Sequence, residues 1–306
     1  MAVQACVLPG GGVLGALSVG ALLKYFERFP HRRFDYISGI STGALSGGVL
    51  AQGRTANAQM LQVELLEDVY RSIRWNRQIY TGATFPPIQL LNLVLHGSFY
   101  NPKGLKRLIA KHIDRNTLCE GVPFSCGTAE WETGAYVEWQ GCDDDILTGI
   151  LASASMPGFF PLVRSRRGDF HHCDGGVRNV APLKAAVKWL AAQEDQEKEL
   201  WLFATGPLGV RQMPRNTKSK GLKVISRSLE FLVNQIYRHD LSLLAQRNFQ
   251  PGYSFIRCNI VLPTKHYVSA LDFDPDVIAE MLEDGYNLPV HAITAPADLQ
   301  RLGIID

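Results

Sequence analysis

The stretch "ACVLPGGGVLGALSVGALLKYF" constrains the chain more than any other. An apolar run ends at Pro9, three glycines follow (Gly10, Gly11 and Gly12), and an apolar helical pattern then resumes. A membrane span needs about 20 unbroken apolar residues, and the proline and glycines break this run early. A secretory leader needs a positively charged start, and the first cation here is Lys24. The pattern predicts a short buried strand over 5–8, a glycine loop and a helix over about 14–29, stopped by Pro30. Strand, glycine loop and helix in that order make one α/β unit.

Further units follow. "FDYISGIS" reads as a second strand and "TGALSGGVLAQG" as a helix of small residues. Asn57 is placed to cap a third helix running to about Trp75. "PFSCGTAEWETGAYVEWQ" predicts a hairpin turning near 132–134. "ELWLFATG" and "YSFIRCNIVLP" are buried-strand candidates, with a long helix over 222–248 between them. This alternation predicts an α/β fold with a mainly parallel sheet, in a single domain over 1–306. A 46% hydrophobic composition supports a large core, and a net charge of +2 is too small to argue for nucleic acid. Six cysteines are scattered without CxxC or zinc-ligand spacing. They are expected to be buried free thiols, which favours a reducing compartment such as the cytoplasm.

Two stretches stand apart. Residues 78–101 are rich in large apolar side chains, as core packing or as an apolar cap over a lipid-binding cleft. Residues 211–227 carry Arg211, Arg215, Lys218, Lys220, Lys223 and Arg227 and no acid. They read as a solvated face or as a contact with anionic lipid headgroups.

Gly10, Gly12 and Gly15 fit the G-x-G-x-x-G dinucleotide pattern, and Asp35 lies twenty residues beyond Gly15. A ribose-binding acid belongs at the end of the second strand, however, and Asp35 stands before "YISGI", at its start. That strand leads instead into Gly39-Ile40-Ser41-Thr42-Gly43, a G-x-S-x-G between strand and helix. A serine on so sharp a turn projects its hydroxyl outward, and Gly39 and Gly43 remove side chains that would collide where strand and helix meet. Attack by Ser41 on an ester would create an oxyanion. Backbone N–H groups of Gly10, Gly11 and Gly12, at a helix N-terminus, are placed to receive it. A serine nucleophile needs a base. His239, His266 and His291 lie late in the chain, in surface-like contexts. Asp174, in "HHCDGGVRNVAPLKAAVKWL", follows a strand carrying His171 and His172 and precedes a helix near Pro182. Alone, Asp-Gly-Gly is also a plain turn.

Taken together, Gly10-Gly11-Gly12, Gly39-Ile40-Ser41-Thr42-Gly43 and Asp174-Gly175-Gly176 resemble the motifs of the patatin-like phospholipase family, in the family's order. "ASASMPGFFP" at 152–161 is similar to its fourth block, and "GSFYNPKGLKRLI" and "FDPDVIAEMLEDGY" look like bacterial members; the likeness spans about 3–286. The resemblance implies a three-layer α/β/α sandwich and a Ser-Asp dyad, with Ser41 as nucleophile and Asp174 as base. It implies an oxyanion hole at Gly10, Gly11 and Gly12, and hydrolysis of fatty-acyl esters of lipids or phospholipids. It implies no cofactor and no metal; with the charge and the cysteines, the expectation is no nucleic-acid partner and a cytoplasmic enzyme in peripheral contact with membrane. In one departure, Leu14 stands where many members carry Arg or Lys, so the donors of Gly11 and Gly12 must suffice. Three rivals stay open: a malonyl-transferase-like enzyme, which needs a partnered histidine; a dinucleotide-binding oxidoreductase; and a lipid-binding or regulatory module that kept the fold.

Overall fold

Strand β1 (Val3–Leu8) is buried along its whole length and alternates its side chains between two cores. Val3, Ala5 and Val7 enter one core, Cys6 and Leu8 the other. A strand buried on both faces needs helices on both, which is the physical basis of a three-layer α/β protein. The structure is a computed structural model of the chain that describes residues 2–82, 93, 97–193, 197–213, 222–248, 256–267 and 270–305.

After β1 a short 3-10 turn (Gly12–Leu14) leads into α1 (Gly15–Arg28), then β2 (Tyr36–Gly39), α2 (Thr42–Ala51) and α3 (Ala56–Ser72). Helices α4 (Lys103–His112) and α5 (Arg115–Glu120) precede the hairpin β3 (Phe124–Glu130) and β4 (Tyr136–Gln140). Then come α6 (Ile146–Ser153), β5 (Val163–Arg164), β6 (His171–Asp174), α7 (Leu183–Ala191), β7 (Lys198–Phe203) and α8 (Leu222–Asn248). The chain closes with β8 (Ile256–Val261), α9 (Pro275–Asn287), β9 (Val290–Ile293) and α10 (Pro296–Arg301).

The strands form one sheet in the order β5-β6-β3-β2-β1-β7-β8-β9, with β4 also paired to β3. The central five, β3-β2-β1-β7-β8, are parallel neighbours, and the antiparallel pairings lie at the edges. Helices α1 to α6 and α9 contribute to one core, α7, α8 and α10 to the other. The expected three-layer sandwich is therefore present, with antiparallel edges that the alternation of elements did not disclose. β2 and β7 flank β1 on opposite sides, so the strand order switches direction at the carboxyl end of β1, where α/β folds open a crevice.

Two local expectations are corrected. Thr55, not Asn57, caps α3: its hydroxyl accepts from the Ala58 N–H at 3.1 Å, because the chain turns helical one residue before Asn57. Cys119 and Cys142 are not free but form a disulfide, with Cα atoms 4.4 Å apart across 23 residues of sequence. Packing of the end of α5 against the turn after β4 brings them together, which no local spacing could announce. Cys6, Cys126, Cys173 and Cys258 are buried free thiols as expected, but the pairing withdraws the cysteine argument for a reducing compartment. Among the described residues no helix is long and apolar enough to cross a membrane.

Most of the expected apolar cap, 83–92 and 94–96, lies outside the described residues, as do 214–221 with Arg215, Lys218 and Lys220 and the side chain of Lys223. The described ends of the 78–101 stretch meet: Thr81 and Asn101 exchange two backbone hydrogen bonds, at 3.0 and 2.7 Å. The excursion thus leaves and returns at one point, next to Tyr80 and Tyr100, whose rings lie 4.4 Å apart.

Candidate active site

Every candidate residue sits at the carboxyl end of a strand or in the loop just beyond it. The Gly10–Gly12 loop follows β1, Ser41 follows β2, Asp174 ends β6 and Thr205 follows β7. Register explains how Ser41 and Asp174 meet although β6 runs against the central strands. Gly39 stands opposite Cys126 on β3, and Asp174 stands opposite Thr128, two residues further along. Ser41 is likewise two residues beyond Gly39, so serine and carboxylate reach the same level from opposite directions.

Ser41 adopts φ 54° and ψ −122°, a left-handed conformation that only glycine holds without strain. A Cβ on Gly39 would lie 2.1 Å from the Gly43 oxygen, and one on Gly43 1.9 Å from the Leu8 oxygen. Both glycines are therefore required by backbone contact, as the G-x-S-x-G spacing predicts. The Ser41 N–H donates to Ser153 Oγ at 3.0 Å, which holds the turn from the side of α6.

The glycine loop is equally crowded. A Cβ on Gly10 would come to 3.1 Å from Ser41 Cβ, on Gly11 to 2.7 Å from Thr205, and on Gly12 to 2.1 Å from the Ala270 oxygen. The Gly10 N–H donates to the Val180 oxygen at 3.1 Å, so its contribution is close approach to the serine and not donation to a ligand. The N–H groups of Gly11 and Gly12 have no hydrogen-bond partner among the described residues. Leu14 faces the same cavity, adding apolar wall where a cation was absent from the sequence.

Asp174 is buried, 1% exposed. Its Oδ1 accepts from the Gly176 N–H at 2.7 Å, which is possible because Gly175 turns without a side chain; a Cβ there would lie 2.3 Å from the Gly127 oxygen. Oδ2 is buried without a hydrogen bond of full geometry, although the Ser41 hydroxyl is near enough to favour the charged form. Burial dominates those opposing contacts and raises the carboxyl to about 7. A carboxylate that holds its proton near neutrality and faces a serine hydroxyl is suited to proton transfer.

Among the described residues no histidine is hydrogen-bonded to Ser41 or Asp174. His172, two residues before Asp174, is buried with Nδ1 3.1 Å from Thr128 Oγ1, and Trp139 Nε1 donates to the same oxygen at 2.9 Å. Burial lowers its pKa. Asp35 accepts from the Gln4 N–H at 3.0 Å, near the start of β1 and away from the glycine loop at its end, so the dinucleotide reading loses its acid.

Ser41, Asp174 and the three glycines open into one cavity of about 750 Å³. Leu45 and Val49, four and eight residues after Ser41, form one face of α2 along it. Leu66 and Val69 of α3 and Leu105 and Ile109 of α4 extend this apolar wall. On the other side Thr205 and, from α8, Val233 and Tyr237 line it. Two supporting residues escaped sequence reading. Thr205 Oγ1 donates to the Gly10 oxygen at 2.6 Å; its place beside Gly206, just beyond "ELWLFA", was the available signal. Asp240, in the middle of α8, gave no signal at all.

Fold and site together define a three-layer α/β/α protein with a serine elbow at the mouth of an apolar cavity. Residues 6–187 match the patatin-like phospholipase family, and the chain belongs to it. No curated protein matches the chain. Among solved structures it is similar to VipD from Legionella pneumophila, at 12% identity and a TM-score of 0.43, over 99% of this chain and 67% of that one. It is also similar to a chain of the ExoU-SpcU heterodimer from the type III secretion system of Pseudomonas aeruginosa, at 14% identity and a TM-score of 0.35, over 99% of this chain and 57% of that one. At these scores the likenesses add nothing to the family assignment, which rests on the sequence match.

Proposed function

We propose that the protein is a serine acyl hydrolase that cleaves fatty-acyl esters of phospholipids or related lipids through Ser41 and Asp174, a phospholipase A-type reaction. The observation that carries this reading is a strained serine elbow at the mouth of an apolar cavity, beside a buried carboxylate. Asp174 takes the Ser41 proton as Oγ attacks the ester carbonyl. The carbonyl oxygen gathers negative charge and is met by the N–H groups of Gly11 and Gly12. The protonated Asp174 returns its proton to the leaving alcohol, and the acyl chain remains on Ser41. Asp174 then deprotonates a water, which releases the fatty acid and restores the serine. The apolar wall from Leu45 to Ile109 receives the acyl chain. Peripheral contact with a membrane surface would deliver the lipid.

Labelling with a fluorophosphonate probe tests this directly. The wild-type protein is expected to gain one adduct, mapped by mass spectrometry to Ser41, and to lose hydrolysis of a lipid ester in step. Labelling elsewhere, or full activity after Ser41 is labelled, would overturn the reading.

A further inference from the structure

Asp240 lies on α8, 66 residues beyond Asp174, and is 9% exposed. Its Oδ2 accepts from two successive backbone amides, Val180 at 2.8 Å and Ala181 at 3.1 Å. These amides belong to the segment that leads out of Asp174-Gly175-Gly176. The Val180 carbonyl in turn accepts from the Gly10 N–H at 3.1 Å. From the opposite side Thr205 Oγ1 donates to the Gly10 carbonyl at 2.6 Å. Gly10 is thus held at both its N–H and its carbonyl, and the next two amides, of Gly11 and Gly12, have no partner among the described residues. With the Asn179 amide oriented to satisfy its neighbours, its nitrogen meets Asp240 Oδ2 at 3.2 Å and its oxygen accepts from Tyr136 hydroxyl at 3.1 Å. The chain of contacts therefore joins α8, the segment after Asp174, the glycine loop and the loop after β7.

We infer that Asp240 is a positioning residue that, through Val180, fixes the Gly10–Gly12 loop and the Asp174 segment relative to each other, with Thr205 as the opposing clamp. This inference rests on the proposed reading of Ser41, Asp174 and the glycine amides. A carboxylate is suited to the task because it accepts from two N–H groups at once with charge-assisted bonds. Oxyanion donors contribute only if they are held in place before the charge develops. A displacement of about 1 Å costs on the order of 100-fold in rate.

The test compares Asp240→Ala, Asp240→Asn, Thr205→Val and the double variant Asp240→Ala/Thr205→Val on a soluble acyl ester, with Ser41→Ala as the control. Asp240→Ala is expected to lower kcat about 100-fold with KM within about threefold of wild type. Asp240→Asn, which keeps an acceptor oxygen, should recover at least tenfold of that loss. Thr205→Val should lower kcat about tenfold. The double variant should lose less than the product of the two single losses, because both act on one residue, Gly10. A residue that only supports folding would shift the melting temperature, leave kcat below melting unchanged, and combine multiplicatively with Thr205→Val. If Asp240→Ala does not fold, Thr205→Val decides the matter by the same split of kcat from KM. Wild-type kcat in folded Asp240→Ala, or in Thr205→Val where Asp240→Ala does not fold, with Ser41→Ala inactive, overturns the clamp alone. Activity retained in Ser41→Ala instead overturns the reading on which it rests.

Discussion

Gly43 and Leu8 touch through their backbones: a Cβ placed on Gly43 would sit 1.9 Å from the Leu8 oxygen. The elbow helix α2 therefore rests directly on the end of β1, which is why the glycine loop after β1 lies against the serine. Gly43→Ala has nowhere to shift except by prising α2 from the sheet. It is expected to destabilise the fold by at least about 3 kcal/mol, the upper end of the usual overpacking cost. Chemical denaturation of the purified variant measures this; a loss under about 1 kcal/mol would show that α2 can slide.

Ser41 stores strain at φ 54°. Ser41→Gly should relieve it and stabilise the protein by about 1 to 3 kcal/mol, while Ser41→Ala, which keeps the Cβ, should not. Both should lose hydrolysis by several orders of magnitude. Melting curves of the pair decide whether the elbow trades stability for an exposed hydroxyl.

Asp174 links activity and stability to pH in opposite senses. Its carboxyl rises from the ordinary range to about 7 in the folded chain. As the proposed base it must be ionised, so kcat/KM should climb as pH passes through about 7. Between about pH 4 and pH 7 the folded chain holds a proton that the unfolded chain releases. Stability from this group is thus full below the unfolded value and is lost as pH rises through the folded one, by an amount on the order of 4 kcal/mol. Asp240, raised by burial to about 6, acts in the same direction. Comparing Asp174→Asn with wild type isolates the first group: the variant should be inactive, yet the more stable of the two at pH 8.5, with the gap closing towards pH 5. A gap that does not change with pH would mean that Asp174 is charged throughout.

The Cys119–Cys142 disulfide closes a loop 23 residues long. On the chain-entropy account its loss costs about 3 kcal/mol. Reduction, or Cys142→Ser, should lower the melting temperature accordingly without changing kcat, since the bridge joins α5 to the turn after β4, outside the cavity lining. Thiol titration of the denatured, unreduced protein should find four of the six cysteines reactive.

The parts legible in the sequence are those set by neighbours along the chain. Gly39 and Gly43 bracket Ser41 within five residues; the contact that demands Gly39 lies within the same strand-turn-helix unit, and the one that demands Gly43 is with the neighbouring β1. The alternation of apolar runs located β1, β2, the β3–β4 hairpin, β7 and β8, because each buried strand carries its own signature. Asp174-Gly175-Gly176 was visible only as one of a set, since the pair Asp-Gly has many uses.

The rest depends on residues far apart in the chain. Asp240 reads as one polar residue among many on a long helix; only the packing of α8 under the Val180 segment shows a buried carboxylate with two amides on it. The same packing withdraws Gly10 from donation and leaves Gly11 and Gly12 open, a division that three identical letters cannot express. The disulfide, too, needed the end of α5 and the turn after β4 to be brought together. The sequence by itself determined which residues could do chemistry, because residue type and local backbone fix a group's reactivity. Tertiary structure alone decided which of them face one another and at what pKa, because hydrogen-bond partners and exclusion of water are set by segments that meet only when the chain is folded.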